Sequence, residues 1–524
     1  MIALSSRKRK ALAFASGLVF AATSPPIDIT VCVILGLVLF ALALGEEAAS
    51  AKERWLRRAL SHGFLFGLGS NLLALRFVPD VIARFTPLPW IAGVLALVLL
   101  AAMQAVPWMI AGGVYRVLDV RFGAPRFLAF GVAIYGGTFV PAIFPWTPAG
   151  GLSRWPMLLQ SAELIGERGT SFLVALACGL GAEAARRFMI DRGAARVPFV
   201  VALAIFVVLA GHGALRMKQI EDARAAAPHA KIALLQPDFD AFDRWEESRA
   251  VMMMDRLAKL TKRAEENGAE LTVWPESAYP YTLAHGVKTS PRGARQVLQG
   301  GVKGPVLTGG ALSKGGGITT NATFLVTSDG AISRSYDKIH LLWFGETVPL
   351  GDVFPWLRKV FARGTGIAPG TEQVLFESGP IKAAVLNCYE DTLPQAGREA
   401  MSVGPNVLVN VTNDAWFAGS AEGELHLRLS VLRSIEARRD LVRAVNRGPT
   451  TWVSATGAIL ARRESLPGLG APPPLVTDAA LLTLGPTLYT RYGDAPLAIL
   501  VVGALIFSKV KSKPKSKLGR EAAH

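Results

Sequence analysis

The chain has 524 residues, 51% of them hydrophobic, and carries 56 Lys and Arg against 40 Asp and Glu, a formal charge of +16. Its mean hydropathy of +0.35, with the apolar residues gathered in blocks, excludes an ordinary soluble chain and points to an integral membrane protein. The basic excess lies in short clusters beside those blocks, where it sets membrane orientation, so nucleic acid is not an expected partner.

In chain order, apolar spans are expected at roughly residues 11–24, 28–44, 62–78, 90–114, 127–144, 170–185 and 197–213, with an eighth at 495–508. Several are short of the ~20 residues that a hydrocarbon core requires. The first follows Arg7, Lys8, Arg9 and Lys10 and is broken from the next by Pro25 and Pro26, a pattern that a cleaved signal peptide would also give. Lys52, Arg54, Arg57 and Arg58 fill one connection, Arg116, Arg121 and Arg126 another, and Arg186, Arg187, Arg192 and Arg196 a third. The connections between these carry only Arg84, Arg154 and Arg168. That alternation puts the basic connections in the cytoplasm and the soluble stretch outside it. The expected organisation is a membrane bundle of about seven helices at 1–220, a soluble domain at 231–484, a last span at 495–508 and a basic cytoplasmic tail at 509–524.

The soluble stretch alternates between strand and helix patterns. Residues 231–238, 305–310, 322–327, 381–388, 406–411, 442–446 and 451–455 read as strands, residues 255–267 as a helix ending at Asn267-Gly268, and a second strand leads into Glu276. That is an α/β domain. Three chemical groups stand at strand ends: Glu276 in Thr272-Val273-Trp274-Pro275-Glu276, Lys338 in Tyr336-Asp337-Lys338, and Cys388 in Val385-Leu386-Asn387-Cys388-Tyr389-Glu390. A thiol forms acyl intermediates when a base takes its proton and a fixed cation stabilises the oxyanion. Taken singly, each has a blander reading, the charged pair as solvated loop groups and the cysteine as a small buried hydrophobe. Cys32 and Cys178 lie in apolar spans, so no disulfide framework is indicated. Residues 348–361, with Phe354, Trp356 and Phe361, form an apolar segment that reads as a lid at the membrane surface or as a buried loop.

Trp274-Pro275-Glu276, the segment from Tyr336 to Phe344-Gly345-Glu346, Cys388-Tyr389-Glu390 and Asn413-Asp414-Ala415-Trp416-Phe417 stand in an order that resembles the nitrilase superfamily. With the flanking spans, nearly the whole chain is similar to the membrane branch of that superfamily, the apolipoprotein N-acyltransferases. The resemblance implies a multi-span α-helical membrane bundle plus a nitrilase-like four-layer α-β-β-α sandwich. It implies Glu276 as general base, Lys338 as oxyanion stabiliser and Cys388 as nucleophile. Glu346 would orient Lys338 or the base, Tyr389 and Glu390 would shape the oxyanion region and secure the cysteine loop, and Trp245 matches a functional tryptophan. Asn413 to Phe417 and His426 would hold the site together. Trp343 stands where the family has proline and Leu425 where it has glutamine, departures that bear on loop shape and substrate preference.

The implied reaction needs no cofactor or metal. Its partners would be a phospholipid acyl donor and the diacylglyceryl-cysteine of a lipoprotein at the periplasmic face of a bacterial inner membrane. The competing readings are a membrane-anchored amidase with water as acceptor and, from another class, a transporter or ligand-binding scaffold. The spans contain some polar groups, such as Asn71, Gln104 and Glu163, yet isolated charges along an ion path are scarce, and it is the assembled Glu276, Lys338 and Cys388 that disfavour this rival. Reporter fusions after Arg216 and after Lys517 should give opposite signals for the two sides of the membrane. Matching signals would contradict the span count.

Overall fold

The structure, a computed structural model, describes residues 5–45, 55–243, 246–349, 351–360, 366–465 and 469–511. The chain divides into two compact units, one of residues 1–213 with 492–524 and one of residues 214–491. The first division falls inside the long helix Arg192–Ala226, not after residue 220.

The first unit is helical. Among the described residues, Trp90–Arg121, Ala162–Phe188 and Arg192–Ala226 are long and apolar enough to cross a membrane. Trp55–Ala74 and Val78–Phe85, bent by 55°, make a fourth if they count as one span. Cys32–Ala43, Arg126–Gly137 and Ala495–Ile506 are apolar but shorter. The span expected at 62–78 starts earlier, at Trp55, and that expected at 127–144 stops at Gly137, shortly before Pro141. Small residues let these helices approach closely: a Cβ on Gly17 would lie 2.0 Å from the Phe66 carbonyl oxygen. Phe20, Phe40, Phe66 and Trp108 pack ring against ring at this contact, with Phe40 and Phe66 stacked at a centroid distance of 4.1 Å.

The second unit is built on two sheets. β1 (His229–Leu234), β2 (Leu271–Val273), β3 (Leu283–Ala284), β4 (Val306–Gly315), β5 (Ile318–Val326) and β6 (Tyr336–Asp337) belong to the first. β7 (Leu375–Ser378), β8 (Ile381–Asn387), β9 (Val407–Asn413), β10 (Leu441–Asn446), β11 (Thr450–Val453) and β12 (Ile459–Arg463) form the second, and β13 (Leu475–Ala480) returns to pair antiparallel with β1. The orders are β13-β1-β2-β4-β5-β6, with β3 on β4, and β12-β11-β10-β9-β8-β7. The central pairs β1/β2, β2/β4, β8/β9 and β9/β10 are parallel, which is why these strands read as apolar runs: both faces are covered.

Side-chain alternation then sorts each strand between two cores. On β8, Ala383 and Val385 face the core between the sheets, where Leu234, Val273 and Leu307 meet Val407, Val409 and Val442. Ala384 and Leu386 pack instead with Leu427 and Ala396 of the helices Glu422–Ala437 and Pro394–Met401. On the first sheet, Ala233 and Trp274 pack with Met253, Met254 and Leu257 of the helix Glu247–Glu266. The layers are helix, sheet, sheet, helix, the sandwich that the resemblance implied.

Sequence patterning missed the helix Glu422–Ala437, whose residues are buried except Glu424, because its charged side chains suggest a solvated face. The last turn of Arg192–Ala226 is tied to this unit by Arg224, which donates from Nε and Nη2 to the two oxygens of buried Asp440, each at 2.8 Å. Of the expected lid, Val353 and Trp356 are 65% and 60% exposed, and Pro355–Val360 is a short helix. Leu350 and Phe361 lie outside the described residues.

Candidate active site

Each of the three expected groups leaves its strand at the same kind of place. Glu276 follows β2, Lys338 follows β6 directly, and Cys388 follows β8 directly. Cys388 has a left-handed φ of 52° and opens the 3-10 turn Cys388–Thr392, so the chain reverses sharply at the thiol. A non-glycine residue in that region is uncommon and is typical of a functional constraint. Beside it, Gly309 of β4 passes so close to Glu276 that a Cβ would lie 2.7 Å from the Glu276 Cα. Only glycine fits there.

Lys338 is 1% exposed, and its Nζ lies 2.7 Å from Glu346 Oε2 and 3.4 Å from Glu276 Oε1. Burial opposes its charge, but Glu346 and Glu276 outweigh burial and hold the ammonium well above the ordinary lysine range. Glu346 is in turn kept ionised: burial raises it, while Lys338, the Leu342 N–H at 3.0 Å and Asn321 bring it below its usual value. Asn321 on β5 bridges the two acids, donating from Nδ2 to Glu276 at 2.7 Å and to Glu346 at 2.6 Å. The second Glu276 oxygen accepts the Asn413 N–H at 3.1 Å. Glu346 therefore orients both Lys338 and, through Asn321, Glu276.

Burial first, and then the negative charge of Glu276, push the Cys388 thiol well above its ordinary range, with Lys338 pulling the other way. At rest the sulfur is a protonated thiol, which sequence alone left open.

Glu390, fully buried, fastens the cysteine loop to the lysine loop. It accepts the Tyr336 hydroxyl on both oxygens, at 2.8 and 2.7 Å, the Ile339 and His340 N–H groups at 2.9 Å each, and the Asn387 N–H at 2.8 Å. Burial raises it, and these donors work against that rise. Tyr389, pushed up to about 12 by burial, remains neutral at physiological pH. Trp245 lies outside the described residues; nearby, Phe242 meets Trp416 edge-on at 5.6 Å. Trp343 is exposed in the loop before Glu346, and Leu425 is buried.

Sequence reading overlooked Asn321, the Tyr336 hydroxyl and Asp391. Asn321 carried one signal, a carboxamide on the apolar strand Ile318–Val326. Among the described residues, Asp414, Glu422 and His426 bring potential ligand atoms within 4.8 Å of one another. His426, however, already has Asp391 on Nε2 at 2.9 Å and Asp414 on Nδ1 at 3.3 Å, so this cluster does not offer a free imidazole to a cation.

The geometry predicts how Cys388 titrates. Alkylation by iodoacetamide, counted against a Cys388→Ala control for Cys32 and Cys178, should still be rising above pH 9. In Lys338→Met the rise should begin at higher pH, since the ammonium is the group that favours the thiolate. A plateau below pH 8 in the unaltered protein would contradict a thiol held above its ordinary range.

The N-terminal domain of apolipoprotein N-acyltransferase matches residues 16–180, and the carbon-nitrogen hydrolase domain matches residues 231–467. The apolipoprotein N-acyltransferase of Geobacter metallireducens is 30% identical, over 97% of this chain and 96% of that protein. The one from Bradyrhizobium diazoefficiens is 30% identical over 88% of each. Among solved structures, an amidase from Nesterenkonia sp. is 21% identical with a TM-score of 0.37, covering 52% of this chain and 97% of its own. By its near full-length similarity to these curated relatives, the chain belongs to the apolipoprotein N-acyltransferase family.

Proposed function

We propose that the chain transfers an acyl group from a membrane phospholipid, through a thioester on Cys388, to the α-amine of a lipoprotein's diacylglyceryl-cysteine. The observation that carries this reading is the buried Lys338 ammonium, 2.7 Å from Glu346 and 3.4 Å from Glu276, in a site that also holds Cys388 at a strand end with a left-handed backbone. Attack on the donor ester joins Sγ to the carbonyl carbon while Glu276 takes the thiol proton. Lys338 stabilises the tetrahedral oxyanion. Collapse breaks the carbon–oxygen bond to glycerol, the proton passes from Glu276 to the leaving alkoxide, and a lysophospholipid departs.

In the second half, the lipoprotein α-amine attacks the thioester, Glu276 accepts an N–H proton, and the carbon–sulfur bond breaks. The thiolate recovers that proton and the amide leaves. A thiol held above its ordinary range suits this cycle, because a poorly stabilised thiolate is formed only as the carbonyl is engaged and is readily reprotonated when expelled. The donor chain prefers to stay in lipid by about 0.8 kcal/mol per methylene. That preference explains why the nitrilase-like unit is joined to apolar helices. In this reading the protein resides in the bacterial inner membrane, residues 231–484 face the periplasm, and the basic tail lies in the cytoplasm.

Transfer and hydrolysis separate cleanly in one chase. Enzyme acylated by phospholipid and freed of excess donor is given a diacylglyceryl-cysteine peptide. The peptide should gain an acyl chain on its α-amine in a linkage that resists hydroxylamine. Release of the chain as free fatty acid, with the peptide unchanged, would instead make the protein a hydrolase.

A further inference from the structure

A second set of ionisable side chains lies behind the cysteine and takes no part in the steps above. Asp391 is in the turn Cys388–Thr392, Asp414 follows β9, Glu422 and His426 are in the first two turns of Glu422–Ala437, and Arg443 is on β10. All five are more than nine-tenths buried. His426 has Asp391 on Nε2 and Asp414 on Nδ1, and Arg443 donates from Nε to the other Asp391 oxygen at 2.9 Å. With a carboxylate on each ring nitrogen, His426 is an imidazolium; its two acidic partners hold it well above its ordinary value against the effect of burial.

The charges of Asp391, Asp414, His426 and Arg443 cancel. Glu422 is a third acid that, among the described residues, has no ion pair of its own although His426 and Arg443 face it, and an unpaired buried carboxylate tends to take up a proton rather than stay charged. Two oxygens in the cluster, Asp414 Oδ2 and Glu422 Oε2, are buried without a hydrogen-bond donor. One proton between these carboxyls would serve both. A divalent cation would fit less well, since both His426 nitrogens are engaged and Arg443 adds like charge.

We infer that Glu422 is a neutral carboxylic acid at physiological pH, donates its proton to Asp414, and so acts as a positioning residue for the turn that holds Glu276. The link is short: Asp414 is next to Asn413, whose N–H binds Glu276 Oε2 at 3.1 Å. The groups facing Glu422 are Asp414 beyond β9, His426 on its own helix, Arg443 on β10 and Asp391 in the cysteine turn. Burial and Asp414 push Glu422 up to about 8, against His426 and Arg443. The folded value lies above the ordinary 4.5, so the folded chain keeps this proton across the interval between them. The stabilising contact is complete at the acidic end of that interval and is lost as pH rises through about 8, when two carboxylates are left facing each other. The positioning role rests on Glu276 being the base of the proposed reaction; the protonation of Glu422 does not.

The test is the rate of thioester formation from phospholipid by the full-length protein, followed by intact mass across pH 6 to 9.5, with metal content measured in parallel. Glu422→Gln keeps a donor toward Asp414 at every pH. It should acylate within about twofold of the unaltered protein at neutral pH and hold its rate above pH 8, where the unaltered protein declines. Glu422→Ala removes the donor and should be about tenfold slower throughout the range. A Glu422→Gln protein that fails to fold, is slow at neutral pH or shares the alkaline decline would overturn the inference. So would a stoichiometric divalent metal that Glu422→Gln loses. Failure of the base assignment looks different: Glu276→Gln would then still acylate at the unaltered rate, whatever stands at position 422.

Discussion

Lys338 keeps a positive charge where water does not reach it, and the rest of the site is arranged around that cost. Moving an ammonium out of water costs several kcal/mol even after relaxation, and only close, well-oriented counter-charges offset it. Two glutamates supply them, and each must itself be held. Asn321 and the Leu342 N–H hold Glu346, and Asn321 and the Asn413 N–H hold Glu276. Glu390 then joins the backbone just after Lys338 to the backbone just before Cys388. Desolvation and the charge of Glu276 raise the cysteine, so the same surroundings set both the lysine ammonium and the resting thiol.

This arrangement trades stability for fixed geometry. A buried ion pair is weak evidence of net stabilisation, yet removing one partner leaves the other charge stranded at a cost of about 3–5 kcal/mol. The same logic recurs away from the thiol, at Arg443 with Asp391 and at Arg224 with Asp440. Asp391 is three residues from Cys388, so its pairing also fixes the turn that presents the sulfur. Arg443 ties β10 to the cysteine turn, and Arg224 ties the end of its helix to the residue before β10.

The proposed catalytic groups were legible because each ends an apolar run, and such runs are what parallel strands covered on both faces look like in sequence. Glu276, Lys338 and Cys388 could be named that way, and Glu346 and Glu390 through their motifs. Asn321 could not: its value lies in reaching two acids that are 45 and 25 residues away along the chain. The helix Glu422–Ala437 was missed for a related reason, since pairing within the fold lets Arg428, Arg433 and His426 be buried where polarity alone predicts exposure. Span limits shifted because hydropathy windows ignore the stops and bends that end a helix, as at Gly137 and between Ala74 and Val78.

The central claim is that Cys388, served by Glu276 and Lys338, carries the acyl group. Intact mass of the purified protein after exposure to phospholipid tests it most directly, with peptide mapping to locate the increment. The account predicts an acyl-sized gain on the peptide containing Cys388, removed by hydroxylamine and absent from Cys388→Ala. The same adduct on Cys388→Ala, or full transfer activity in that variant, would contradict it.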